Sequence, residues 1–171
     1  VIAYRIVSRI APRIILIFGL TVALLALTTP AARAHCELPC GIYHDEMRFE
    51  MIDEHLETIA KSMRMIEDLG ADPGQNANQL ARWVMNKEEH AAKLRDILTV
   101  YFLDQRIKPV DPDAGDEYDL YLARIETLHR MMVHVMKCKQ TTDLEHVDAL
   151  RELRNHFYTL YFGEDHQPHE H

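Results

Sequence analysis

The chain has 171 residues and a net charge of −8, with 47% hydrophobic and 27% charged residues, which suits one ordinary domain. Such an acidic balance argues against nucleic acid or an anionic membrane as partner. It also repels any small anionic substrate unless the site is shielded or locally positive. Three cysteines, Cys36, Cys40 and Cys138, leave one thiol over from any closed set of disulfides.

The first 34 residues read as a targeting segment. Arg5, Arg9 and Arg13 precede an apolar run from Ile14 to Leu27, Thr28-Thr29-Pro30 breaks it, and Ala32-Arg33-Ala34 offers small residues to a signal peptidase. The run falls short of the roughly 20 apolar residues of a membrane span, so length and flanks favour a cleaved signal over a retained anchor. The arginines are not adjacent, which argues against a twin-arginine signal. Residues 1–34 are therefore expected to be cut off after Ala34, leaving the mature protein in the periplasm or outside the cell. That cut removes four arginines and no acid, taking the charge from −8 to −12.

Residues 35–43 form a short non-helical hook, and the rest reads as an all-α, antiparallel up-down four-helix bundle over 44–163. Apolar residues recur in steps of three and four. Helix one is expected from Asp45 to Leu69, with Ile52, Leu56, Ile59, Met63 and Ile66 in one stripe, Gly70 just past its end and a polar turn to Asn78. Helix two is expected from Asn78 to Leu103, with Leu80, Val84, Ala91, Leu94, Leu98 and Tyr101 on one face. Asp104 to Asp116 reads as a loop. Helix three, Glu117 to Lys139, carries Tyr121, Ile125, Leu128, Met132 and Val135. Thr142-Asp143-Leu144-Glu145 reads as a capping box for helix four, which continues through Val147, Leu150, Phe157 and Leu160 to Gly163. The tail, 164–171, is polar and His-rich and is expected to be disordered.

Several chemistry-bearing residues have ordinary explanations. Cys138, alone on helix three, is expected to be a buried small hydrophobe. Glu126-Thr127-Leu128-His129 has the E-x-x-H spacing of di-iron bundles, but that architecture needs the motif twice. His55, His134, His146 and His156 are expected on solvated or boundary faces. The tail histidines His166, His169 and His171 fit an unstructured end better than a dedicated metal site.

The informative stretch is His35-Cys36-Glu37-Leu38-Pro39-Cys40-Gly41-Ile42-Tyr43. A cut before His35 frees an α-amine in the same residue as an imidazole. Cys36 brings a thiolate and a backbone amide nitrogen, and Pro39-Cys40-Gly41 allows the turn that folds a second thiolate back. Two nitrogens and two sulfurs in a plane suit Ni(II) or Cu(II), whereas Zn(II) prefers a tetrahedron. The His35 imidazole is placed to be an axial fifth ligand. Strongly donating thiolates and amide lower the Ni(III)/Ni(II) potential into a range where one-electron cycling is feasible. A disulfide between Cys36 and Cys40 explains neither the histidine at the cut nor the Pro-Cys-Gly-x-Tyr pattern, and a lipid-modified Cys36 would want a small residue where His35 stands.

This stretch resembles the nickel hook H-C-x-x-P-C-G-x-Y of nickel-containing superoxide dismutases at every fixed position, and it sits at an expected proteolytic N-terminus. The resemblance implies dismutation of superoxide to dioxygen and hydrogen peroxide, with one nickel ion per subunit. It implies thiolates from Cys36 and Cys40, the amide nitrogen of Cys36, and the amine and imidazole of His35 as ligands. It further implies Tyr43 at the substrate entrance and a homohexamer of bundles. In that family a glutamate shortly after the hook orients the axial imidazole and is held by an arginine of the second helix. Here the spacing after Tyr43 is one residue off, which leaves Glu50 as the nearest candidate, and His90 stands where that arginine is sought. A Tyr-Phe pair recurs as Tyr101-Phe102, followed by Leu103 where the family has lysine, and Tyr101 is a candidate neighbour of Tyr43. The contrasting reading is an exported, non-catalytic nickel- or copper-binding protein that uses the same hook.

Overall fold

The computed structural model describes residues 41–164 and 166. His35, Cys36, Cys40 and the whole expected signal segment lie outside the described residues. The described chain is all-helical. Helix α1 spans Asp45–Gly70, and α2 spans Pro73–Asp96 and runs on into a π-helical turn, Ile97–Arg106. A short 3-10 turn, Pro112–Ala114, leads to α3, Asp116–Gln140, and then α4, Glu145–Phe162. Among the described residues there is no strand, and no helix is long and apolar enough to cross a membrane. This is the expected four-helix bundle, with α1 packed most extensively on α2 and α3 on α4.

The core follows the expected stripes with local shifts. Ile52, Leu56, Ile59, Met63, Ala91, Leu94, Leu98, Tyr101, Leu128, Val135, Val147, Leu150 and Phe157 are buried. Met131 rather than Met132 fills the α3 seam, while Val84 stays 38% exposed. Cys138 is a free, buried thiol, as expected, and burial pushes its pKa up to about 11.

Three boundaries differ from expectation, each for a local chemical reason. First, α2 begins at Pro73, because Asp72 accepts a hydrogen bond from the Gln75 amide at 3.3 Å and Pro73 stands in the first turn. This is an N-cap followed by a proline whose missing N–H costs nothing there. Gly70 is the last residue of α1 rather than a left-handed residue beyond it. Second, the capping box of α4 does not form. Asp143 instead accepts from the Glu145 amide at 2.9 Å, and the Asp143 amide donates to Thr141 Oγ1 at 3.3 Å. Third, the regular α-helical part ends at Asp96, seven residues before the expected Leu103, and the helix runs on as the π turn to Arg106. Its last turns widen, so that the Ile107 amide donates to the carbonyl of Phe102, five residues back, at 2.8 Å.

The helix ends carry cross-bundle caps. Buried Lys87 of α2 donates to the carbonyls of Cys138 and Lys139, each at 2.6 Å, and of Thr141 at 3.3 Å. An ammonium thus satisfies the orphan carbonyls at the negative end of α3. Arg124 of α3 does the same for α4, donating from Nε to the carbonyl of Leu160 at 2.9 Å.

His55 corrects its expectation, being only 7% exposed. Its Nδ1 lies 3.1 Å from Nδ1 of His90 across the α1–α2 seam. Burial, then the neighbouring His90 and Lys93, hold its pKa below the ordinary imidazole value against the opposing pull of Glu54. His134, beside His146, is shifted the same way and also mainly by burial. The unfolded chain therefore binds more protons than the fold below about pH 6.5, so this contribution is present above that value and lost as pH falls through it toward the folded pKa. The thermal midpoint is expected to drop between about pH 7.5 and 5.5, and His90→Asn should make that drop shallower. An identical slope in the variant would contradict the assignment.

Candidate active site

Described residues 41–44 lead directly into α1, so the site is built from that junction. Gly41, directly after Cys40, has φ +75°, a left-handed conformation that favours glycine. His44 caps α1, its Nδ1 accepting from the Met47 amide at 3.3 Å. The first helical residue, Asp45, then sits at the positive end of the helix dipole.

Asp45 joins three elements. Oδ1 accepts from the Tyr101 hydroxyl at 2.6 Å and from Arg106 Nε at 2.8 Å, both in the π-helical turn. Oδ2 accepts from Arg106 Nη2 and from the Tyr161 hydroxyl of α4, the latter at 2.9 Å. Burial alone would raise the carboxyl's pKa, but the bonds from Arg106, Tyr101 and Tyr161 hold it below the usual aspartate range. Burial together with the Asp45 carboxylate pushes Tyr101 up to about 12 and raises Tyr161 as well. Both phenols therefore stay protonated and committed to Asp45.

The two hook-side tyrosines come together. The rings of Tyr43 and Tyr101 are 5.9 Å apart and nearly perpendicular, at 76°. A guanidinium stands on each: Arg106 is 4.3 Å above Tyr43, and Arg48 is 4.8 Å above Tyr101. Asp45 pairs with Arg106, while Arg48 also reaches Met51 Sδ at 3.3 Å. Beneath the ring pair lies an aromatic layer in which Phe49 touches the rings of Phe102, Phe157, Tyr158, Tyr161 and Phe162. A cleft of about 280 Å³ opens beside Tyr43, lined by His44, Asp45, Glu46, Phe162 and His166. His166 belongs to the tail expected to be disordered, yet its ring stacks on Phe162 at 4.1 Å and its Nε2 lies 2.8 Å from Glu46 Oε1.

For Glu50 and His90, the expected neighbour His35 lies outside the described residues. Glu50 is exposed and makes no hydrogen bond or ion pair among the described residues, and the partner of His90 is His55. Sequence reasoning missed Asp45, Arg106, Arg48 and Tyr161. For Arg106 the obstacle was periodicity: five residues after Tyr101, it would lie about 140° away around an ordinary helix. The π turn brings residues five apart onto one face.

Among the described residues no three His, Cys, Asp or Glu side chains gather to hold a metal ion. The expected donors, His35, Cys36 and Cys40, lie outside those residues, and their chemistry of two thiolates beside amine and amide nitrogens fits nickel. The described fold is a four-helix bundle with an arginine-flanked pair of tyrosine rings, Tyr43 and Tyr101, beside the start of α1. The model of the family described as nickel-containing superoxide dismutase matches residues 30–165, hook and bundle alike. The chain belongs to that family. Comparison with curated proteins and with solved structures gave no match.

Proposed function

We propose that the mature chain, cut after Ala34, dismutes superoxide at a nickel ion held by His35, Cys36 and Cys40, one ion per subunit. Two superoxide anions and two protons then give dioxygen and hydrogen peroxide. Bound there, nickel supplies the one-electron Ni(II)/Ni(III) couple that the reaction requires. The protein's own part is access and order. Tyr43 stands at the entrance with its ring held between Arg106 and Tyr101. The Tyr101 hydroxyl is engaged by Asp45, which leaves Tyr43, ordered water or a ligand-borne group to hand on protons. Export to the periplasm or beyond follows from the reading of residues 1–34, and assembly into a homohexamer follows from the family likeness.

The observation that carries the reading is that the family match covers both the nine-residue hook and the bundle. The test is a superoxide pulse applied to the mature, nickel-loaded protein. Repeated turnover that resists cyanide supports the enzyme. Consumption that stops at one equivalent per nickel would mean a metal carrier instead.

A further inference from the structure

We propose that Arg106 is a positioning residue for Tyr43, delivered to it by the π-helical turn. The inference deepens the dismutase reading and rests on it for its meaning. Tyr43 is 37% exposed and follows Ile42, which is 81% exposed, so little of the bundle grips its ring. Its two ring neighbours among the described residues are the edge of Tyr101 and the face of Arg106.

Arg106 is itself fixed. Nε and Nη2 form a two-pronged contact with Asp45, at the N-terminus of α1. That contact orients the guanidinium plane and leaves its face for the phenol. Asp45 also takes the hydroxyls of Tyr101 and Tyr161, so one carboxylate ties the start of α1, the end of α2 and the end of α4 to the arginine that seats Tyr43. The wide turn is what makes this possible. Tyr101 and Arg106 are five residues apart, and the i→i+5 register of the turn brings both toward one carboxylate.

Lysine in place of Arg106 keeps the charge and loses the planar fork, which makes it the informative variant. The experiment uses metal-free mature protein labelled with 3-fluorotyrosine, in which the Tyr43 signal is identified by its loss from Tyr43→Phe. In Arg106→Gln and Arg106→Lys that signal should move toward free fluorotyrosine while the signal of Tyr118 stays in place. In the nickel-loaded protein, kcat/KM should fall about two- to fivefold, the scale of one partly exposed cation–π contact. A Tyr43 signal unmoved in both variants overturns the proposal. If Arg106→Gln fails to fold, Arg106→Lys decides, and failure of both to fold overturns it by making Arg106 purely structural. A signal that moves in a protein whose nickel-loaded wild type never turns over superoxide keeps the positioning and removes the dismutase reading.

Discussion

Mature protein carrying one extra alanine ahead of His35 is expected to fold normally and to lose superoxide turnover by more than about a hundredfold. That figure is the upper end of what losing even an outer-sphere partner of a metal costs, and here a ligand itself is lost. The added residue converts the α-amine, an ordinary base with a pKa near about 8, into a planar amide. It also moves the new terminus one residue away from the imidazole and the Cys36 amide. Cys36→Ser should act as severely, because a serine oxygen is a poor soft donor. The measurement is the superoxide decay rate beside the far-ultraviolet circular dichroism of each variant. Unchanged helix content with lost turnover is the expected pair. Full activity in the alanine-extended protein would take the amine out of the ligand set.

The largest expected effect on stability lies at Phe49. Its ring is fully buried and meets five other aromatic rings from the π turn and α4. Phe49→Ala removes that area and leaves a cavity walled by rings that α1, the π turn and α4 hold apart. The cost should be about 3–5 kcal/mol, which lowers the thermal midpoint by about 10–20 °C. Phe49→Leu refills most of the volume and should lose less than half as much. Because the same rings lie beneath Asp45 and Tyr101, turnover should fall in Phe49→Ala below its melting point as well, in contrast to the hook variants, which spare the fold. A midpoint within about 2 °C of the wild type would show that the aromatic layer does not bear on stability as argued.

The bundle was legible in the sequence because burial follows period. Ile52, Leu56, Ile59 and Met63 recur at helical spacing and all four are buried. The family was legible because the nine residues that carry the resemblance are adjacent in the chain and lie within the matched residues 30–165. What stayed hidden was long-range or off-period. Asp45 reads as an ordinary acidic residue in a first turn, and nothing near it in the sequence announces two tyrosines and an arginine arriving from 56, 61 and 116 residues away. Arg106 fell in an expected loop, since the α-helical period leads away from it after Tyr101. His55 looked like a boundary histidine because its helix face alone is half polar, and only the pairing of α1 with α2 sets it against His90.

Native mass spectrometry of the exported protein, taken with its metal in place, tests the central claim most directly. Dismutation at the hook predicts subunits that begin at His35, each with one nickel ion, assembled as six copies in a preparation that consumes superoxide catalytically. An equally active preparation whose subunits retain any residue ahead of His35, or whose mass shows no nickel, would contradict it.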